Sequence, residues 1–178
     1  NNAEHQVLGN PSGAVTLYNC VFSGNAGEAI NNDVAMSIRN CSIYGNSDKG
    51  GVAGISNSGN LTVRNSVIWG NTAATAISTF DAQIRNFTGG TLTLLYNSIE
   101  GLPPESDANG NVGLDPLFVD AFGPDNMKGT LDDNLRLSPE SALINLGQPE
   151  PTLSSHQDAD GHARILCGRI DMGAYEFG

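Results

Sequence analysis

A glycine-bent acidic loop offers the densest group of oxygen ligands in the sequence. It spans residues 123–134 and follows a further carboxylate at position 120. Calcium binds six to eight oxygens in flexible geometry, and such a loop supplies carboxylates, an amide and backbone carbonyls. The loop lacks the EF-hand spacing and its closing Glu, and a solvated acidic turn is the alternative interpretation. The candidate calcium ligands are Asp120, Asp125, Asn126, Asp132 and Asp133.

Arginine and aromatic side chains recur at matching places along the chain, and this combination suits contact with acidic sugars. Aromatic rings pack against the apolar faces of sugar rings, and guanidinium groups pair with the carboxylates of uronic acids. The alternative is that loops cover these side chains. The candidate glycan-contact residues are Arg39, Tyr44, Arg64 and Trp69.

The sequence shows no recognisable catalytic set. A polysaccharide lyase needs a base beside cationic groups, yet no Lys-Arg pair falls at corresponding places in neighbouring repeats. A glycoside hydrolase needs two carboxylates that face one groove. The carboxylates of the repeat region are instead scattered between or after the copies: Glu28, Asp33, Asp48, Asp81 and Glu100. No nucleophile stands at a recognisable spacing from the three histidines, His5, His156 and His162.

Composition and charge limit the class of protein. The chain has 178 residues, a net charge of −11 and only eight Lys plus Arg, so we do not expect nucleic acids or anionic membranes as partners, because both need a basic face. No apolar stretch approaches the roughly 20 residues that span a bilayer. Twenty-two glycines and abundant Asn and Ser, without long helix-forming runs, predict an all-β protein of short strands.

Cysteine usage indicates neither a zinc site nor a disulfide framework. The three cysteines, Cys20, Cys41 and Cys167, are an odd number and lack CxxC spacing. We expect free thiols, with Cys20 and Cys41 stacked as small core residues.

An internal repeat determines how these side chains are positioned. Residues 15–25, 36–46 and 61–71 match position by position, and a degenerate fourth copy covers 93–101. The copies recur at intervals of 21 to 32 residues, and a period of this length is typical of a solenoid. Apolar residues alternate before and after a central Asn, which indicates two half-buried strands joined at a bend. The predicted fold is a right-handed parallel β-helix.

The central asparagines, Asn19, Asn40, Asn65 and Asn97, recur at intervals of 21, 25 and 32 residues. Asn tolerates a left-handed backbone at a bend, and its amide can hydrogen-bond to an Asn in the next coil. We therefore expect these four amides to form one ladder. Tyr18, Arg39, Arg64 and Tyr96 would precede it and point outward.

The pattern changes after Gly110. The chain then carries DPLF at 115–118, RLSPES at 136–141, DADGHAR at 158–164 and DMGAYEF at 171–177. This series resembles the C-terminal domain of bacterial surface β-helix proteins of the choice-of-anchor Q type. The resemblance covers residues 115–177 and implies a secreted or surface-anchored protein, often of pectate-lyase-like architecture, but no single activity. Asn145 stands where that family usually has Asp, which argues against a catalytic role for this position.

The C-terminal motifs also predict local structure. Asp158 and Asp160 are expected to form a structural turn before Arg164, and Glu176 to be paired within a final strand. A solenoid end exposes apolar residues and strand edges, so residues 110–178 are expected to cap the coils of residues 1–109 as an irregular acidic segment. The polar lead 1–13 shows no cap, so further coils are expected upstream.

These observations favour a secreted or cell-surface module for adhesion, glycan contact or display that is not catalytic by itself. The expected partners are a polysaccharide or other surface glycan and other surface or secretion proteins, with calcium as the candidate cofactor. Two alternatives remain open: the C-terminal part of a polysaccharide lyase or glycoside hydrolase, and a subunit or cargo of a larger surface assembly.

Overall fold

The alternation of apolar and polar residues produces short strands that stack in parallel. A computed structural model of the chain describes residues 6–148, 150, 156–166 and 168–178. Each repeat contributes one strand to each of three four-stranded sheets. Neighbouring strands within each sheet are parallel. The predicted parallel β-helix is therefore confirmed as a β-solenoid with four layers of strands.

The chain passes through the three sheets in turn. The first sheet contains β1 (Leu8–Asn10), β4 (Ile30–Asn32), β8 (Ile55–Asn57) and β12 (Ile84–Asn86). The second sheet contains β2 (Ala14–Tyr18), β5 (Ala35–Arg39), β9 (Asn60–Arg64) and β13 (Thr91–Leu95). The third sheet contains β3 (Val21–Ser23), β6 (Ser42–Tyr44), β10 (Val67–Trp69) and β14 (Ser98–Ile99).

Smaller elements connect and extend these sheets. The pair β7 (Ser47–Asp48) and β11 (Thr72–Ala73) is parallel, and the pair β15 (Phe118–Asp120) and β16 (Asn134–Leu137) is antiparallel. Helix α1 (Thr79–Gln83) begins after Ser78, whose hydroxyl accepts a hydrogen bond from the Asp81 N–H. Within the described ranges, no helix is both long and apolar enough to cross a membrane.

The core is a stack of identical positions from successive coils. Ile30, Ile55 and Ile84 lie opposite one another in the first sheet and are at most 1% exposed. Ile38 and Val63 lie opposite each other in the second sheet and are also fully buried. Full burial of such a side chain stabilises the fold by about 1.5–3 kcal/mol. The core therefore favours the register that keeps these rows together.

Two columns of amides, buried along most of their length, run along the solenoid, so the predicted type of ladder is present but other residues build it. In the first column each amide N–H donates to the next Oδ1 at 3.0, 2.7 and 2.6 Å. Its members are Asn10, Asn32, Asn57 and Asn86. In the second column the distances are 2.7, 2.8 and 2.7 Å. Its members are Asn25, Asn46, Asn71 and Gln83.

The asparagines expected to form the ladder occupy a corner instead. Asn19, Asn40 and Asn65 have φ of 52°, 51° and 48°, which confirms the predicted left-handed bend. Tyr96, with φ of 56°, takes this corner in the fourth coil. Asn97 lies opposite Ser66, at an interval of 31 residues, and its amide bonds to Asn111. The sequence alignment of the fourth copy was therefore wrong by one residue.

The described residues of the C-terminal segment, which spans 114–178, lie along the side of the solenoid. Its backbone contacts every layer of the solenoid. In the first two layers, Gly129 packs on Gly24, and the Ala174 N–H donates to the Ser42 hydroxyl. In the last two layers, the Gly173 N–H donates to the Asn65 carbonyl, and the Leu114 carbonyl accepts from the Ser98 hydroxyl. It covers Val67 on the outer face of the third sheet, which packs with Leu143 and Met172 in a second apolar cluster. The described part of this segment thus forms a lateral cover on the solenoid.

Local residues close the last coil. Asn86 Nδ2 donates to the Gly90 carbonyl, Gln83 Nε2 to the Glu100 carboxylate, and Asn111 Nδ2 to the Asp107 carboxylate. Both amide columns, and the Asn97–Asn111 pair, therefore end on an acceptor. For the buried side chains of Gln83 and Asn111 this avoids an unpaired donor, which would cost about 1–3 kcal/mol.

Candidate functional site

Arg39 and Arg64 form a stacked pair at the ends of β5 and β9. They lie opposite each other in the second sheet and point outward, as predicted. One carboxylate joins them, because Glu150 Oε2 lies 2.5 Å from Arg39 Nη1 and Glu150 Oε1 lies 2.7 Å from Arg64 Nε. Arg64 Nη2 also contacts the Gln148 side-chain carbonyl. Two guanidinium groups one strand spacing apart repel each other, and the shared anion offsets that repulsion.

Tyrosine rings flank this pair. The guanidinium carbon of Arg39 lies 5.9 Å from the centre of the Tyr18 ring, and that of Arg64 lies 5.9 Å from the centre of the Tyr96 ring. These distances are typical of cation–π contacts. The rings help to hold both arginine side chains against the second sheet.

Tyr44 and Trp69 lie on a different face. They are opposite each other at the ends of β6 and β10, where the C-terminal segment covers the third sheet. The Tyr44 ring meets Phe118 edge to face at 5.3 Å, and Trp69 packs on the second apolar cluster. Burial raises the pKa of Tyr44, and neighbouring carboxylates led by Asp115 add to the shift. Both rings line a cleft of about 410 Å³ with residues 115–122.

The four candidate glycan-contact residues therefore form two groups. The Asn19, Asn40 and Asn65 corner, bound by residues of the C-terminal segment, lies between the end of the second sheet and the start of the third. The structure brings Arg39 together with Arg64, and Tyr44 together with Trp69, but it does not join the two pairs into one surface.

The outer face of the second sheet carries a row of hydroxyl groups, each of which is exposed or half-buried among the described residues. One residue of this row comes from the centre of each strand, and each lies opposite the next. The row consists of Thr16, Ser37, Thr62 and Thr93. A shallow groove of about 270 Å³ follows it along the first three strands. Strand alternation predicts these positions on the outer face, and the recurrence of Thr or Ser at each of them is the sequence signal for the row.

The acidic loop brings three of its five candidate ligands together. One carboxylate oxygen from each of Asp125, Asp132 and Asp133 lies within 4.8 Å of the others. Thr130 donates to Asp132 at 2.5 Å and thereby lowers the pKa of that carboxyl group. The two remaining candidates lie apart from this group: Asp120, the last residue of β15, accepts the Phe122 N–H, and Asn126 forms a left-handed turn within the loop. The three gathered carboxylates are the residues of this loop that could hold calcium.

The second acidic turn is structural, as predicted. Buried Asp158 accepts the N–H groups of Asp160 and His162 at 2.9 and 2.8 Å and that of Glu176 at 2.8 Å. Asp160 forms two contacts with Arg136, at 2.6 and 2.5 Å. Although the side chains of Asp158, Asp160 and His162 lie within 4.8 Å of one another, protein groups already engage both carboxylates.

The motifs ending at Arg164 and Phe177 meet in a buried ion pair. Arg164 Nε lies 3.2 Å from Glu176 Oε1, and the two side chains are 1% and 3% exposed. With its amide oriented toward the guanidinium, Asn40 Oδ1 accepts from Arg164 Nη2 and Nε at 3.0 and 3.1 Å. Burial raises the pKa of Glu176 to about 8, against the opposing effect of Arg164. The predicted pairing of Glu176 is confirmed, but residues 171–178 dock without forming a strand.

The backbone conformation at position 145 explains why an Asn stands there. Its φ is 60°, a conformation that Asn adopts more readily than most residues, and its N–H donates to the Asp171 carboxylate at 2.6 Å. The residue therefore serves a turn that holds the last motif.

The other reactive groups of the sequence have structural partners where they are described. Glu28 contacts the Ser56 hydroxyl, Asp81 pairs with Arg85, and Glu100 accepts the Gly70 N–H. Cys20 and Cys41 are free thiols on adjacent coils, as predicted, and hydrogen bonding to Cys41 lowers the pKa of Cys20 to about 6. His5 and Cys167 lie outside the described residues.

No protein-family model matches the chain, and neither a curated protein nor a solved structure matches it. The resemblance of the C-terminal motifs to a surface-protein family therefore stays a prediction.

Proposed function

We propose that the chain is a non-catalytic module of a secreted or cell-surface protein that binds an acidic glycan along the outer face of its second sheet. One observation carries this proposal: the hydroxyl row on the outer face of that sheet runs alongside the Arg39–Arg64 pair, whose arginines stand two residues after Ser37 and Thr62 in their strands. The module would serve adhesion or display by holding the glycan.

The geometry of the hydroxyl row suits a linear polysaccharide. Neighbouring strands lie about 4.8 Å apart, which is close to the length of one sugar ring in an extended chain. A glycan aligned with the solenoid axis therefore meets a similar hydroxyl group at each coil. Thr and Ser hydroxyls both donate and accept hydrogen bonds, as sugar hydroxyls do. Tyr18 is 40% exposed at the edge of this face and offers an aromatic contact.

The charge distribution indicates where an acidic sugar would bind. The net charge of −11 repels polyanions from most of the surface. Arg39 and Arg64 are the charged residues of the second sheet, and guanidinium groups bind carboxylates in a planar, directional manner. A uronic acid residue is therefore expected to be anchored at this pair while its neutral neighbours follow the hydroxyl row.

The same face supports binding without catalysis. Its outward side chains in the described strands are Ala, Thr, Ser, Asn, Leu, Tyr and Arg, which do not provide the two carboxylates of a glycosidase. The C-terminal motifs are occupied in attaching the lateral cover to the solenoid. Their resemblance to surface-anchored proteins supports the proposed extracellular location.

Glycan binding is tested by passing the purified chain over a panel of immobilised acidic and neutral polysaccharides. The double variant Thr62→Glu/Thr93→Glu places two anions in the row and should weaken binding of an acidic glycan by at least about tenfold. Thr72→Glu, an exposed residue of β11, is the matched control and should bind normally. The proposal is refuted if the double variant binds as tightly as the wild-type chain, or if the wild-type chain binds no polysaccharide of the panel.

Two further measurements separate the remaining interpretations. Trp69→Ala changes the cleft on the third sheet, and unchanged affinity would remove Tyr44 and Trp69 from the glycan site. Incubation with each bound glycan, followed by assays for unsaturated uronates and for new reducing ends, tests the lyase and hydrolase alternatives. Product formation would overturn the non-catalytic assignment.

A further inference from the structure

We propose that the carboxylate of Glu150 is an intramolecular competitor that occupies the Arg39–Arg64 site until a uronate carboxylate of the glycan displaces it. This inference rests on the proposed function and concerns the regulation of glycan binding at the Arg39–Arg64 pair. The ligand class is a carboxylate carried by an acidic sugar.

Glu150 imitates such a ligand in its binding geometry. Each of its oxygens faces a different arginine, at 2.5 Å from Arg39 Nη1 and 2.7 Å from Arg64 Nε. The two arginines come from adjacent coils, so a carboxylate that bridges them lies along the solenoid axis. The carboxylate of a sugar placed on the hydroxyl row would need the same position.

The solvent exposure of this contact permits exchange. The side chains of Arg39, Arg64 and Glu150 are 28%, 20% and 14% exposed. The Arg164–Glu176 pair elsewhere in the molecule is 1% and 3% exposed, and backbone carbonyls also hold its guanidinium. Breaking a buried pair leaves an uncompensated charge, whereas groups at a partly exposed pair regain water. Of these two ion pairs, the one at Glu150 is therefore suited to open.

The internal contact is also incomplete as a hydrogen bond. Arg64 Nε and Glu150 Oε1 are close in space, yet neither atom has a hydrogen-bond partner of normal geometry and both are buried. An unsatisfied buried polar atom is unfavourable, even when the charges attract. A free carboxylate can adopt the planar two-point arrangement that guanidinium groups prefer. An external carboxylate can thus gain hydrogen bonds that Glu150 does not form.

The test compares Glu150→Gln with wild type and with Glu140→Gln, which removes the same charge from an exposed position. Binding of oligogalacturonate is measured by calorimetry at low and high salt. Glu150→Gln should bind about tenfold tighter than both others, with an advantage that shrinks as salt increases. Equal affinities of Glu150→Gln and Glu140→Gln would overturn the proposal that Glu150 competes with the glycan. Unfolding transitions of all three proteins establish that the comparison is made between folded chains.

A second measurement separates this inference from the proposed function. The Nε–H signals of Arg39 and Arg64 are followed by NMR while sodium galacturonate is added. Shifts in Glu150→Gln at concentrations that leave wild type unchanged would support competition even if no polysaccharide binds. If the variant shows no shift, the pair is not a carboxylate site. The variant Arg39→Gln/Arg64→Gln in the Glu150→Gln background should lose the added affinity.

Discussion

Asn65 and Gln148 pair through two hydrogen bonds that reproduce one rung of a β-ladder. Asn65 Nδ2 donates to the Gln148 carbonyl at 3.0 Å, and the Gln148 N–H donates to Asn65 Oδ1 at 2.9 Å. The left-handed backbone at this corner directs the amide away from the core. Asn19 Nδ2 donates to the Gln157 carbonyl, and Asn40 Oδ1 accepts from the Arg164 guanidinium. The corner asparagines thus fasten the C-terminal segment to successive coils.

Substitutions at Asn65 should separate its backbone role from its amide role. Asn65→Gly keeps the positive φ but removes both hydrogen bonds, and it should lower the free energy of unfolding by about 2 kcal/mol. Asn65→Ala adds the strain of a left-handed residue with a Cβ and should cost about 3 kcal/mol. Chemical denaturation measures both values. Equal losses in the two variants would show that the left-handed conformation adds no strain.

The repeat could be predicted because strand alternation and corner asparagines are local features. Apolar spacing places Ile38 and Val63 in the core, and φ near 50° is a conformation that Asn tolerates. The fourth copy was misaligned because Tyr96 occupies the corner while Asn97 stands next to it. A residue type that is favoured at a position does not by itself determine register.

Long-range partners could not be predicted in the same way. Two signals for the true amide columns were present: the Ile-x-Asn motif ending at Asn32, Asn57 and Asn86, and the Gly-Asn pairs ending at Asn25, Asn46 and Asn71. The pairing of Glu150 with Arg39 spans 111 residues and depends on the path of the C-terminal segment. No periodicity in the sequence encodes that path.

The second amide column should be sensitive to a single substitution at its centre. Asn46 is fully buried, accepts from the Asn25 N–H and Nδ2 at 3.0 and 2.7 Å, and donates to Asn71 and the Phe22 carbonyl. Asn46→Ala leaves these groups unpaired and should reduce the free energy of unfolding by about 3 kcal/mol. Asn31→Ala, on the outer face of β4, is the control and should change it by less than about 0.5 kcal/mol. Similar values for both variants would contradict the ladder's energetic role.

Calcium should stabilise the chain if the three gathered carboxylates bind it. Asp125, Asp132 and Asp133 repel one another at their separation of at most 4.8 Å, and a cation relieves this repulsion. We expect calcium at 100 times its Kd to raise the free energy of unfolding by about 2.7 kcal/mol relative to a chelator. Differential scanning calorimetry measures the corresponding Tm shift.

Variants identify the ligands of this calcium effect. Asp132→Asn/Asp133→Asn should abolish the calcium-dependent Tm shift, whereas Asp48→Asn in β7 should retain it. Asp120→Asn and Asn126→Ala decide whether those two residues complete the coordination. Identical Tm values of the wild-type chain in calcium and in chelator would count against the site.

The buried carboxyl group of Glu176 should make stability fall as pH rises. Its pKa is about 8 in the folded chain against an ordinary value of 4.5, because burial disfavours the ion despite the facing Arg164. Asp171 and Asp158 also face it and add negative charge. The folded state therefore binds this proton more tightly than the unfolded state does. The resulting stabilisation is complete below pH 4.5 and is lost as pH rises through 8.

A pH series of denaturation curves tests this linkage. Between pH 5 and 8 the wild-type chain should lose up to about 1.4 kcal/mol of unfolding free energy per pH unit from this group. The burial-raised pKa of Asp171 acts in the same direction. Glu176→Gln imitates the protonated form and should flatten the profile, whereas the exposed Glu140→Gln should preserve its slope. A wild-type profile as flat as that of Glu176→Gln would mean that Arg164 keeps the Glu176 carboxylate ionised, because the attraction between the two charges then exceeds the cost of burying them.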